Sequence, residues 1–292
     1  MAKPFIPCLD TSTLEWRGGE AYHELSAEFD PGEVEDDTYY DAFAVKVLAF
    51  DEKTGAQTKR ERYRAGFVHH NYGYHRCNEE VYTLSGRFRY PDSAELFTEG
   101  CYVYRPPGWI HNGEVYEDTE VIVRHDALFT MVTGHGEDEL RTNVLFDEPA
   151  AAVGPRGFVV HRNANFEAWI PGENFLRGQE PWEDSYEGEL WVKVLSRDVV
   201  TDAQTLIMRL GPGFRFAEPG FLSAGEESYV LAGDITIGED RLGPAFFTSR
   251  PAGYVYGPVE SSGGCVLYAS FDGPLGRHVA TSSEIGTRIG PQ

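Results

Sequence analysis

Val45-Lys46-Val47-Leu48-Ala49-Phe50-Asp51-Glu52-Lys53-Thr54-Gly55-Ala56-Gln57-Thr58 nearly recurs, 147 residues later, as Val192-Lys193-Val194-Leu195-Ser196-Arg197-Asp198-Val199-Val200-Thr201-Asp202-Ala203-Gln204-Thr205. Nine of the fourteen positions are identical, without a gap. At the same offset Gly66, Glu79, Glu80, Tyr82, Leu84 and Gly86 meet Gly213, Glu226, Glu227, Tyr229, Leu231 and Gly233. A repeat this long is a domain-sized unit, because solenoid repeats run only about 20–50 residues. The chain therefore reads as a tandem duplication. The duplication also supplies an internal control. A residue kept in both copies serves the fold, and a potential metal ligand found in one copy serves chemistry.

The length of 292 residues is that of about two domains, each long enough to bury its own core. An apolar fraction of 41% with 13% aromatics marks a globular chain and not a disordered one. No apolar run approaches the roughly 18 residues of a membrane span. Met1-Ala2-Lys3-Pro4 lacks the apolar core of a signal peptide, so a cytoplasmic location is expected. Cys8, Cys77, Cys101 and Cys265 show no CxxC spacing and are expected to be reduced thiols. The net charge of −22 repels nucleic acid and anionic membrane. A small molecule is the expected partner, and the acidity reads simply as a solubility or salt adaptation.

Short β-rich runs cover 43–50, 80–84, 100–104, 120–124, 189–195, 205–210, 228–231 and 265–269, and Gly, Pro, Asp and Asn punctuate them. This spacing predicts an all-β sandwich or barrel. No long stretch has helical periodicity. Ala151-Ala152-Val153-Gly154-Pro155 reads as the domain boundary, which divides the chain into 1–152 and 153–292. Trp16-Arg17-Gly18-Gly19-Glu20 echoes Trp169-Ile170-Pro171-Gly172-Glu173, so each copy is expected to begin with an aromatic-anchored arm.

Chemistry concentrates in the first copy. His75 precedes Glu79 by four residues, and Gly86 follows. Gly100-Cys101-Tyr102-Val103-Tyr104-Arg105-Pro106-Pro107-Gly108-Trp109-Ile110-His111 then reads G-x5-P-x-G-x2-H. Two histidines and a carboxylate on β-hairpin elements can converge inside a small barrel. There they offer nitrogen and oxygen ligands to one divalent ion and leave positions open.

On these motifs the halves resemble cupins, small antiparallel jelly-roll barrels, and the chain resembles a bicupin. The Glu79-Glu80-Val81-Tyr82-Thr83-Leu84-Ser85-Gly86 segment is similar to the 2,4'-dihydroxyacetophenone dioxygenase and ChrR-like group. The resemblance implies two tandem jelly rolls and a metal held by His75, Glu79 and His111. It also implies a further motif histidine two residues before His75, where this chain has Gly73. The nearest substitutes are His70, His69, Tyr74 and Cys77; His70 is either a fourth ligand or pocket base, or a histidine at the surface or behind the ligands. Three protein ligands would form the two-His-one-carboxylate triad of Fe(II) oxygenases, and Zn²⁺, Mn²⁺ or Ni²⁺ would also fit. In the second copy His75 becomes Leu222 and His111 becomes Tyr256, while Glu226 persists. That copy is expected to keep the fold without the metal, as a structural or dimerising partner. Glu80 is assigned a structural role.

On the substrate side, the segment Lys59-Arg60-Glu61-Arg62-Tyr63-Arg64 stands where the second copy is apolar. Either Arg62 or Arg64 lines the barrel mouth and holds an anionic group, or the strand is exposed and its charges pair with neighbouring carboxylates. Tyr104 is a candidate for facing the cavity. His125, beside the run 121–124, is expected to be packed or exposed and not a ligand. The favoured function is Fe(II)-dependent dioxygenation of a small chelating molecule. A non-redox isomerase, lyase or decarboxylase and a non-catalytic sensor are the rival classes, since one fold hosts all three.

Overall fold

The computed structural model describes residues 4–29, 38–69, 72–90, 96–135, 156, 160–179, 182–183 and 185–289. His70 and the expected boundary segment 151–155 lie outside them. Two compact units emerge, Glu15–Phe166 and Met1–Leu14 with Glu167–Gln292. The expected division at 152/153 is therefore corrected in both directions by strand pairing. In the first unit, residues 160–163 close a sheet edge against 101–104. In the second, residues 6–10 pair with the strand 246–250.

The strands of the first unit are β2 (Arg17–Gly18), β3 (Ser26–Phe29), β4 (Phe43–Phe50), β5 (Gln57–Tyr63), β6 (Tyr72–Tyr74), β7 (Glu79–Arg89), β8 (Leu96–Thr98), β9 (Cys101–Arg105), β10 (Glu114–His125), β11 (Phe129–His135) and β12 (Val160–Asn163). The second unit takes β1 (Ile6–Asp10), then β13 (Ile170–Pro171), β14 (Leu190–Arg197), β15 (Gln204–Leu210), β16 (Phe214–Phe216), β17 (Gly220–Leu222), β18 (Glu226–Gly233), β19 (Ile235–Ile237), β20 (Asp240–Leu242), β21 (Phe246–Arg250), β22 (Val259–Ser261), β23 (Cys265–Phe271) and β24 (Arg277–Val279). The large sheet of the first unit runs β12-β9-β7-β10-β5-β4-β2, and β3-β11-β6 forms a smaller one. Its counterpart in the second unit runs β1-β21-β18-β23-β15-β14-β13, with smaller sheets β16-β22-β19-β20 and β17-β24. Both units are jelly-roll barrels, as the sequence predicts.

The recurring segment is the β4–β5 hairpin and its copy β14–β15. In the first, the Asp51 carboxylate accepts from the Lys53 amide (2.9 Å) and the Thr54 hydroxyl (3.0 Å). In the second, Asp198 accepts from the Val200 amide (2.7 Å) and the Thr201 hydroxyl (2.6 Å). Such side-chain-to-backbone bonds fix the turn, which explains why Asp and Thr persist in both copies. Each hairpin also carries a register shift at the same place, Val47/Ala49 and Val194/Ser196.

The cores differ. In the second unit one apolar cluster fills the barrel, from Phe175 and Leu190 through Leu206, Leu210 and Phe214 to Phe271 and Leu275. The described core of the first unit is two clusters, one around Val81, Phe88, Val103 and Val121, the other around Tyr22, Phe43, Val45 and Phe129. Residues of both clusters line a cavity of about 130 Å³. The second barrel keeps about 70 Å³. No helix among the described residues is long and apolar enough to cross a membrane.

Candidate metal centre

His75 lies in the loop entering β7, and Glu79 is the first residue of that strand. His111 follows the Pro106-Pro107-Gly108 turn beyond β9. Backbone bonds lock these segments together: the Gly73 amide donates to the His111 carbonyl (2.9 Å), the His111 amide to the Gly73 carbonyl (2.8 Å), and the Gly108 amide to the His75 carbonyl (2.8 Å). The structure thus brings the three expected ligands into one cluster, with their ligand atoms all within 4.8 Å of one another. Nε2 of His75 is 3.5 Å from Glu79 Oε1, and Nε2 of His111 is 3.5 Å from Glu79 Oε2.

The far side of each ring sets its tautomer. Nδ1 of His75 meets the Thr130 carbonyl at 2.6 Å, and Nδ1 of His111 meets the Trp109 carbonyl at 3.0 Å. A carbonyl accepts a hydrogen bond from Nδ1–H, so in the neutral ring each Nε2 turns its lone pair toward Glu79, as metal-ligating histidines require. Burial opposes ionisation of Glu79, but when the two facing rings hold a second proton in place of an ion, the positive charge of His75 and His111 outweighs it and holds the carboxyl well below the usual carboxylate range. Arg105, almost fully buried, donates to Glu79 Oε2 at 3.1 Å and stacks 3.8 Å from the Tyr90 ring centre. Donor chemistry, tautomers and charge all fit a divalent cation among these residues.

Several residues expected on the substrate side lie elsewhere. Tyr104 pairs opposite Glu80 across β9 and β7, whereas Arg105 pairs opposite Glu79. Side chains alternate along a strand, so Tyr104 points away from the cluster, and its hydroxyl donates to Asn78 Oδ1 at 2.7 Å. Glu80 shares that face as a structural residue, held by Arg124 (2.5 Å), Tyr102 (2.8 Å) and Arg156 (3.3 Å). Arg64 is exposed. Arg62 lies 4.6 Å from the Trp16 ring centre, and Arg60 pairs with Glu120 (Nε to Oε2, 3.0 Å). Pairing with neighbours is therefore what Arg60 and Arg62 do, because the register of β5 turns the other residues inward.

Those inward residues, Lys59, Glu61 and Tyr63, escaped the sequence reading. Lys59 is fully buried, 3.1 Å from Glu61 Oε1 and 3.2 Å from the Tyr22 hydroxyl. Its ammonium lies over the rings of Tyr22 (4.3 Å) and Phe129 (4.6 Å). Glu61 also accepts from the hydroxyls of Tyr22 and Tyr63, the latter at 2.5 Å. Burial opposes its ionisation, but the Lys59 charge and the two hydroxyls bring its pKa below the ordinary value. Glu61, Tyr22 and Tyr63 line the cavity with His75, Glu79 and His111. His125 lines it too, 3% exposed, and burial with the nearby Lys59 charge pushes its pKa down to about 4. Comparing the copies on the inward period finds two of the missed polar sites, since Lys59 becomes Leu206 and Glu61 becomes Met208; His125, expected to be packed or exposed, is buried, and it and Phe271 occupy equivalent places opposite Glu79 and Glu226.

In the second barrel Gly220 bridges Tyr256 as Gly73 bridges His111, which places Tyr256 at the lost ligand position. Arg250 lies 3.9 Å from Glu226 and repeats the Arg105–Glu79 pair. Glu226 therefore persists with its arginine partner, not as a ligand. His75, Glu79 and His111 are the one such group among the described residues.

Residues 32–128 match the family model of the ChrR cupin-like domain. No curated protein matches the chain. Among solved structures, a candidate dioxygenase from Nostoc punctiforme aligns over 100% of this chain and 89% of its own, with TM-score 0.70 and 14% identity. Protein YlbA from E. coli aligns over 92% and 94%, with TM-score 0.55 and 12% identity. A tryptophan-to-tyrosine variant of oxalate decarboxylase from Bacillus subtilis aligns over 97% and 81%, with TM-score 0.50 and 14% identity. At these identities the likeness is one of fold. The chain therefore has the tandem jelly-roll fold of bicupins, and its segment 32–128 is similar to the ChrR cupin-like domain.

Proposed function

We propose that the first barrel is a metal-dependent enzyme for a small organic substrate, with Fe(II) and dioxygen chemistry favoured. One observation carries this reading: the His75–Glu79–His111 cluster opens onto a cavity of about 130 Å³ walled by Phe43, Phe67, Phe88, Phe129, Val81 and Val123. An apolar cavity of about 150 Å³ takes a benzene-sized guest, so a compact chelating molecule fits, such as a hydroxyketone, diketone or phenol. A bound divalent ion supplies Lewis acidity and, as iron, a meeting point for substrate and dioxygen. The chain's own residues do the rest. Thr130 and Trp109 carbonyls orient the rings, Arg105 holds Glu79 as a carboxylate, and the aromatic wall keeps water from the reacting centre. The Nostoc punctiforme neighbour's description is in keeping with this reading.

A second reading rests on the Lys59–Glu61–Tyr22–Tyr63 network, whose carboxylate and hydroxyls can carry protons without dioxygen. It favours a non-redox lyase, isomerase or decarboxylase working with Zn²⁺ or Mn²⁺. Fe(II)-loaded protein in an oxygen electrode separates the two. Dioxygen uptake only with a chelating substrate is the expected result. Turnover with Zn²⁺ and none with Fe(II) overturns the first reading in favour of the second, and tight ligand binding without product under either metal makes the protein a sensor.

A further inference from the structure

Gly73 leaves the cluster one nitrogen donor short of the familiar set, and the fold explains why nothing replaces it there. A Cβ on Gly73 would lie 2.7 Å from the Val132 carbonyl oxygen of β11 and 3.1 Å from Thr133 Cγ2. The second copy repeats the contact: a Cβ on Gly220 would collide with the His278 carbonyl oxygen. The glycine belongs to the barrel in both copies, and a side chain at that place is excluded by backbone.

The strand opposite Glu79 offers a donor instead. His125 ends β10 and pairs with Glu79 in the β10–β7 register, so both side chains face inward. It is 3% exposed, and neither ring nitrogen has a hydrogen-bond partner. Buried polar groups are nearly always satisfied, which makes this ring an anomaly in a closed barrel. Its Nε2 lies 3.7 Å from Glu79 Oε1, too long for a hydrogen bond and close to the 3.5 Å that separates His75 Nε2 from the same oxygen. Donors that share one ion at about 2.1 Å sit roughly 3–3.5 Å apart. Its ring centre is 5.4 Å from that of His75, as the His111 ring centre is 5.1 Å away. In the barrel without histidine ligands, the residue opposite Glu226 is Phe271.

We propose that His125 supplies the fourth protein ligand of the metal centre, in place of the donor that Gly73 cannot carry. The proposal rests on the metal-centre reading above.

The test counts imidazoles. X-ray absorption on the wild-type chain loaded with one equivalent of Zn²⁺ or Co²⁺ should resolve three, and His125→Phe, which installs the second barrel's residue, should resolve two. The Co²⁺ absorption bands should shift in His125→Phe and in His125→Gln, and the Co²⁺ dissociation constant should rise at least tenfold. Two imidazoles in the wild-type chain overturn the proposal without recourse to any variant. An unchanged count in His125→Gln overturns it as well. Failure of the wild-type chain to bind either ion, or full binding by His111→Ala, instead sinks the metal centre itself.

Discussion

The buried Lys59–Glu61 pair allows the sharpest test of the cavity wall. Lys59→Leu, the residue of the second copy, removes the cation and leaves the Glu61 carboxylate in a barrel interior where Lys59 is its 3.1 Å partner. The hydroxyls of Tyr22 and Tyr63 remain, but neither carries compensating charge. Breaking a buried pair from one side costs about 3–5 kcal/mol, because the other charge stays desolvated. For a unit the size of Glu15–Phe166, each kcal/mol moves the melting temperature by roughly 2–4 °C, so a fall of about 6–20 °C is expected. The second copy also names the compensating change. Lys59→Leu with Glu61→Met copies Leu206 and Met208, and replacing a buried pair by apolar residues is often neutral or stabilising. Differential scanning calorimetry, with the two units' transitions resolved, should show most of the loss recovered in the double variant. A single variant within about 0.5 kcal/mol of wild type, the range of ordinary surface changes, refutes the reasoning. So does a double variant less stable than the single one.

Further expectations concern the site and the repeat. His75→Ala and His111→Ala should each lose the bound divalent ion, measured by elemental analysis after dialysis, and full stoichiometry in both would discard these ligands. Tyr256→His should bind no second ion, because Leu222 still occupies the place of His75, and a second ion in that variant would show the copies misaligned. Gly73→Ala should destabilise the first unit by about 1–3 kcal/mol, the cost of overpacking, because its Cβ meets the Val132 carbonyl at 2.7 Å; an unchanged melting temperature refutes the close approach. Glu61 has a pKa lowered from 4.5 in the folded chain, so its stabilising contribution is present above pH 4.5 and lost as pH falls through the folded value. The stability of Glu61→Gln should therefore vary less than wild type below pH 4.5, and parallel acid titrations of the two would contradict this.

The duplicated frame explains how one barrel can hold chemistry while the other sheds it. Gly86 and Gly233 both adopt positive φ, 88° and 77°, and in each a Cβ would run into backbone, the Asp118 carbonyl oxygen in one copy and the Gly264 carbonyl oxygen in the other. These strand positions tolerate no other residue and persist in both copies. The cavity is not so constrained. Leu222, Met208, Leu206 and Phe271 fill the second barrel with apolar side chains where the first carries histidines, a carboxylate and a lysine.

Sequence alone determined the duplication, the all-β architecture, the absence of histidine ligands from the second copy, and the grouping of His75, Glu79 and His111. Each of these is written in spacing: turn residues must recur where hairpins turn, and ligands carried by one turn and one strand keep fixed intervals. Tertiary structure decided the rest. The division between units moved because strand pairing joins segments remote in the chain, residues 6–10 with 246–250 and 160–163 with 101–104. Tyr104 faces away from the cluster because a one-residue change of phase carries a side chain to the other face of a sheet, and Arg64 lies exposed just past the end of β5; composition says nothing of either. Phase also brought Lys59, Glu61 and His125 to the site. They lie on inward rows whose meeting point depends on how β5, β7 and β10 stand side by side, a relation that no local pattern records.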